Sequence, residues 1–276
     1  MAASSFKSHG RTIRVVVSRC VVMAPPNGFC DVLINPANER LVGTKLPYFP
    51  RGGPVPEERV SGAAAVQRDW VPPGFVSKWG GMEIGSDMMY SVQVVDGMVG
   101  MLGGDALRKE CRRLPIRGPR GSDVRCPQGE AVRTSAPGGL AKLFGGIVHT
   151  VPPFYKRADT GGPCPEWRAL LERCWLRALD AASPGPVVAA PLLGAGARGA
   201  PVGAASHVAA RAAASWLTLS SSAAMGIREL HIAVQTADAA HLLAGEIDAE
   251  VSRMACAADA ADARQTSAPS VRDVFP

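Results

Sequence analysis

Five short apolar runs, separated by stretches of helical periodicity, constrain this chain more than any other feature. "TIRVVVSRCVV" (12–22), "CDVLIN" (30–35), "GGIVHTV" (145–151), "GPVVAAPLL" (185–193) and "IRELHIAVQT" (227–236) read as strands. The spacing predicts helices over 96–114, 165–182, 202–217 and 237–255, the first weakened at Gly103–Gly104. The clearest is 165–182, where Trp167, Leu170, Leu171, Cys174, Ala178 and Leu179 make one apolar face. Strands alternating with helices imply an α/β sheet covered on both faces.

The chain's 276 residues suit one large or two small domains, and a hydrophobic fraction of 47% allows a substantial core. Thirty glycines and 23 prolines imply long loops. Residues 44–92 follow neither period for long, yet Tyr48, Phe49, Trp70, Phe75, Trp79 and Tyr90 supply six of the 15 Phe, Trp and Tyr residues. A packed excursion is expected there rather than a free linker. From about residue 256 the chain is rich in Ala, Asp, Ser and Pro and is expected to fray.

The net charge is +6, with Lys and Arg read as scattered rather than blocked. That balance favours a small anionic ligand and disfavours nucleic acid. Seven cysteines, odd in number and without a CxxC pair, read as free thiols in a reducing compartment, with no metal and no cofactor implied. No apolar run is long enough to span a membrane. The segment "MAASSFKSHGR" lacks the apolar stretch of a secretory signal. A cytoplasmic or nuclear location is expected, and an organellar transit segment stays open.

Four stretches carry chemistry. The first strand-to-turn junction is Asn35-Pro36-Ala37-Asn38, where neutral amides can both donate and accept. Val95-Asp96-Gly97 opens a helix, where Asp commonly serves as an N-cap. "CPQGEAVRT" (126–134) precedes the "GGIVHTV" strand, in which His149 reads as a satisfied sheet histidine. Cys111 and Cys126 read as packing thiols. Leu193-Gly194-Ala195-Gly196-Ala197-Arg198-Gly199 is a glycine-rich turn leading into a helix, which can offer backbone N–H groups to an anion.

Together, and in order, these pieces resemble the macro domains, a family that binds ADP-ribose. "CDVLINPAN" resembles the family's strand ending in Asn-Ala-Ala-Asn. "VVDG" and the helix to "EC" resemble its first ligand loop, "CPQGEA" its Cys-Pro-Thr-Gly-Glu-Ala stretch, "IVHTV" the next strand, and "LLGAGARGAP" its phosphate-binding loop. The resemblance covers roughly residues 12–255 apart from the 44–92 insertion. It implies a single three-layer α/β/α macro-type domain with a mixed central β-sheet, with 1–11 and 256–276 as flexible tails.

The resemblance also implies roles. Asn38 would hydrogen-bond a hydroxyl of the distal ribose, and Asn35 would hold the loop's own backbone. As in the hydrolytic, MacroD-type branch, Asp96 would orient or deprotonate a water that attacks the anomeric carbon, or position the ribose for it. Asn38 and Asp96 are therefore the candidate catalytic residues. Asn35, Ala37, Val95, Gly97 and Leu193 to Gly199 are the candidate ligand contacts. The sequence departs from the family in three ways. "SRCVVMAPPNG" lacks the acid that reads the adenine amino group, Arg198 stands where an aromatic residue packs on the ribose, and 44–92 interrupts the first loop. Arg198 would pair with phosphate or point to solvent. Glu57, Glu58 and Glu83 in the insertion are the next carboxylates after Asp96. The expected activity is hydrolysis of ADP-ribosyl esters, on protein Asp/Glu or O-acetyl-ADP-ribose, by a monomer. The rival is a non-catalytic reader of ADP-ribose or a related nucleotide. A weaker third reading binds RNA or poly(ADP-ribose).

Overall fold

The order in which the strands pair fixes where a ligand can enter. The computed structural model describes residues 2–18, 20–42, 95–158, 162–196, 198–218 and 226–266. The strands are β1 (Ala2–Ser8), β2 (Arg11–Val17), β3 (Cys30–Pro36), β4 (Ala131–Ser135), β5 (Phe144–Thr150), β6 (Val187–Pro191) and β7 (Glu229–Val234). The helices are α1 (Val95–Arg113), α2 (Pro165–Ala182), α3 (Val202–Thr218) and α4 (Ala237–Thr266). One seven-stranded sheet runs β1-β2-β7-β6-β3-β5-β4. Its five inner strands are parallel, and β1 and β4 are antiparallel edges. The sheet is thus mixed, as expected.

Pleat alternation divides the core in two. Val32, Ile34 and Val148 face a cluster built with α2, α3 and α4. Leu33, Ala37 and Ile147 face the opposite cluster, with Met98, Leu107 and Cys111 of α1. The result is the three-layer α/β/α architecture. On α2 the expected apolar face is buried except at Leu170, which is half-buried, and Trp175 and Ala182 extend it. α1 breaks at Gly104, whose φ of +55° is open to glycine. A side chain at Gly103 would meet the Leu107 Cδ2 at 2.6 Å, so both glycines have a structural reason.

The sheet starts ahead of residue 12, because β1 pairs with β2 from Ser8↔Arg11 onward. Likewise α4 continues past residue 255 to Thr266, consistent with alanine being the best helix former. The 44–92 insertion, with Glu57, Glu58 and Glu83, lies outside the described residues. Among the described residues no helix is long and apolar enough to cross a membrane.

Candidate functional site

The connections leaving β3 and β6 depart in opposite directions. From β3 the chain goes to α1 on one face and returns through β4 to β5; from β6 it goes to α3 on the other face and returns to β7. β3 and β6 are neighbours, so their carboxyl ends form a topological switch point, where open α/β sheets take ligands. The segments 35–38 and 192–200 leave the sheet there.

Parallel register places Asn35 opposite His149, and both side chains point toward α1. Asn35 is fully buried, His149 3% exposed and Asp96 6% exposed. The Asn35 Nδ2 donates to Asp96 Oδ1 at 2.9 Å and to His149 Nδ1 at 3.1 Å. On the other side of the ring, His149 Nε2 lies 3.0 Å from Thr134 Oγ1, whose hydroxyl donates to the Ser135 carbonyl at 3.0 Å. These contacts fix the tautomer. Nδ1 accepts from Asn35, so Nε2 carries the proton and donates to Thr134. Burial pushes the imidazole down to about 4, opposed by the negative charge of Glu110. It is therefore neutral at physiological pH. Asn35 Oδ1 is buried without a hydrogen-bond partner.

The expected backbone role of Asn35 is not what the structure shows. Its amide ties Asp96, in the first turn of α1, to the end of β3. His149 is a satisfied sheet histidine, as read, and a member of this network. Asn38 is half-buried at the next turn, where its Oδ1 accepts from Val42 N at 3.3 Å and its carbonyl from Leu41 N at 3.0 Å. Ala37 is buried and donates its N–H to the Thr150 carbonyl at 2.8 Å, prolonging the β3–β5 ladder. Val95 is half-buried and Gly97 buried beside Asp96.

In the second loop, Leu193 is a core residue and Ala195 is half-buried. Gly194 and Gly199 take φ of +86° and +82°, and the loop closes through Ala200 N to the Gly194 carbonyl and Gly199 N to the Gly196 carbonyl, both 3.0 Å. Gly196 is exposed, and a Cβ there would meet nothing within 4 Å. Ala197 lies outside the described residues. Arg198 does not simply point to solvent. Its Nη2 donates to the Ala37 carbonyl at 3.1 Å, and its guanidinium lies 4.4 Å from the Phe154 ring centroid. One side chain thus bridges the two loops of the site.

Phe154 and Tyr155 escaped the sequence reading, although an aromatic pair directly after a strand was visible in "TVPPFY". Tyr155 N donates to the Arg198 carbonyl at 2.8 Å, and its ring meets Trp167 edge-on at 5.0 Å. The "CPQGEA" stretch packs beneath. Cys126 Sγ donates to the Glu130 carbonyl at 3.3 Å, and Gly129 N to the Val151 carbonyl at 3.2 Å. Burial pushes the thiols of Cys111 and Cys126 up to about 12, in keeping with packing roles.

Comparison with known proteins agrees with this architecture. Residues 88–209 match the family described as Macro domain. The Oceanobacillus iheyensis macrodomain solved with ADP superposes with a TM-score of 0.57 at 17% identity, covering 91% of this chain and 97% of that one. A mutant of that macrodomain, solved with ADPR, gives 0.54 at 16% identity, with coverages of 91% and 97%. The Trypanosoma brucei macrodomain in complex with ADP gives 0.52 at 17% identity, covering 86% of this chain and 69% of that one. At these identities the likeness is one of fold. No curated protein matches the chain.

Proposed function

With residues 88–209 matched to the macro-domain family, we propose that this protein binds ADP-ribose at the β3–β6 switch point and hydrolyses ADP-ribosyl esters. The observation that carries the reading is the meeting of three segments there: Asp96 tied to Asn35, Asn38 one turn beyond, and the glycine loop joined to Ala37 through Arg198. The structures solved with ADP or ADPR on this fold support the choice of ligand.

In this reading the diphosphate lies along Gly194, Gly196 and Gly199, with Ala195 and Arg198 beside them and Val95 and Gly97 opposite. Backbone N–H groups oppose its charge. The Asn38 amide binds a hydroxyl of the distal ribose. Asp96 takes a proton from a water whose oxygen bonds to the anomeric carbon, as the bond from that carbon to the ester oxygen breaks. The protein or acetyl carboxylate leaves with the electron pair. Asn35 donates to the Asp96 carboxylate and directs it, and neutral His149 holds Asn35 in the donating orientation. The domain extends from β1 through α4, beyond the 12–255 that the motifs span, with 44–92 inserted.

The rival, a non-catalytic reader, is supported by the lack of an acid in "SRCVVMAPPNG" and by the 44–92 insertion in the first loop. Calorimetric titration with ADP-ribose, ADP, AMP and NAD tests the pocket. ADP-ribose is expected to bind, and adenosine much more weakly. Absence of binding at millimolar ADP-ribose would refute the assignment while leaving the fold intact.

A further inference from the structure

Charge in this protein is concentrated in one stretch, not scattered along the chain. Residues 108–125 hold seven Arg or Lys and two Asp or Glu, and seven less two gives +5 of the chain's net +6. Both acids of the stretch are engaged. Glu110 accepts from Ser135 N at 2.7 Å and Ser135 Oγ at 2.6 Å, and Asp123 accepts from Arg40 Nε at 2.8 Å. Lys109, Arg112, Arg113, Arg117 and Arg120 are exposed and make no ion pair among the described residues.

This stretch is fastened beside the candidate site. Arg125 N and Cys126 N donate to the carbonyl of Glu39, the residue after Asn38, at 2.8 and 3.1 Å. Arg125 Nη2 reaches the Arg112 carbonyl at 3.3 Å, and Arg117 N the Val124 carbonyl at 2.8 Å. Hydrogen bonds to backbone carbonyls therefore anchor the stretch to the residue that follows Asn38.

Resting on the proposed function, we infer that the 108–125 collar binds the polypeptide carrying the ADP-ribosyl ester, and that this polypeptide is acidic around the modified residue. The modified carboxylate leaves the distal ribose next to Asn38, so its flanking chain passes over the collar. Six of the seven cations are arginines, whose planar forks match carboxylates. No aromatic residue lies within 108–125, so the stacking platform that single-stranded nucleic acids use is missing from the stretch. Each exposed ion pair contributes at most about fivefold at low salt, and several together give roughly ten- to a hundredfold.

The test compares two peptides bearing one ADP-ribosylated glutamate, flanked by glutamates or by serines, on the full chain and on the triple variant Arg113→Glu, Arg117→Glu, Arg120→Glu. The wild type is expected to bind the acidic peptide at least about tenfold more tightly at low salt. The preference should vanish in the variant and at high salt, with affinity for free ADP-ribose unchanged. Equal binding of the two peptides by the wild type, or a preference that survives the variant, overturns the inference. So does a single-stranded RNA of matched charge that competes more strongly than the acidic peptide. An unmodified acidic peptide separates the two proposals. If it binds in a variant-sensitive way while ADP-ribose does not bind, the collar stands and the proposed function falls.

Discussion

Replacing His149 by leucine removes the acceptor that faces Asn35 without opening a large void. The ring accepts from Asn35 Nδ2 at 3.1 Å and donates toward Thr134 Oγ1 at 3.0 Å. His149→Leu leaves a buried Asn35 N–H without its acceptor, which costs about 1–3 kcal/mol. Thr134 keeps its bond to the Ser135 carbonyl. A second signature separates this cost from ordinary core damage. The folded imidazole sits near 4 against 6.5 for the free side chain. Between those values the unfolded chain takes a proton that the folded chain refuses, so stability falls as pH falls through that window. For the wild type this amounts to roughly 2–3 kcal/mol between pH 7 and pH 4.5. His149→Leu has no such term. Urea unfolding of both proteins at pH 7 and 4.5 should show the variant weaker at neutral pH, with the gap narrowing or reversing in acid. Parallel losses in the two proteins would refute the neutral, hydrogen-bonded imidazole and the tautomer drawn from it.

Gly196→Glu should abolish ADP-ribose binding in a folded protein, since the position is open to a side chain yet lies in the proposed diphosphate loop; unchanged calorimetric affinity would place the ligand elsewhere. Gly103→Ala should destabilise by about 1–3 kcal/mol through overpacking on Leu107, and an unaltered thermal midpoint would mean that α1 shifts freely at its break. Arg198→Ala removes the bridge to Ala37 and the stack on Phe154, and should weaken ADP-ribose binding several-fold; full affinity would show that the loops hold each other by other means.

The sheet and its covering helices were legible because burial writes itself into sequence period. Trp167, Leu171, Cys174, Ala178 and Leu179 face the core as their spacing predicts. β1 was missed because "AASSFKS" has no β-branched residue and forms an edge by pairing with β2. β4 was missed because "AVRTS" is only five residues long and merges with the preceding loop. The places of Asn35 at the end of β3, Asp96 at the start of α1 and the glycine loop after β6 follow from motif order. Their partners do not. Asn35 meets Asp96 and His149 at separations of 61 and 114 residues, set by strand register and not by local sequence. Arg198 likewise reads as a solvent or phosphate cation until the chain places Ala37 and Phe154 beside it.

The central claim is tested most directly by release of ADP-ribose from a glutamate-modified protein, with O-acetyl-ADP-ribose as second substrate. The account predicts that the wild type turns over. Asp96→Ala should lose roughly a hundred- to ten-thousand-fold in rate while keeping much of its ADP-ribose affinity, because the acid–base group acts mainly in the transition state. Asn38→Ala should weaken both binding and rate, since in the proposed reading its amide would contact the ribose in both ground and transition states. Binding without turnover by the wild type would contradict the hydrolase and leave a reader of ADP-ribose, and turnover that survives Asp96→Ala would remove that carboxylate from the mechanism.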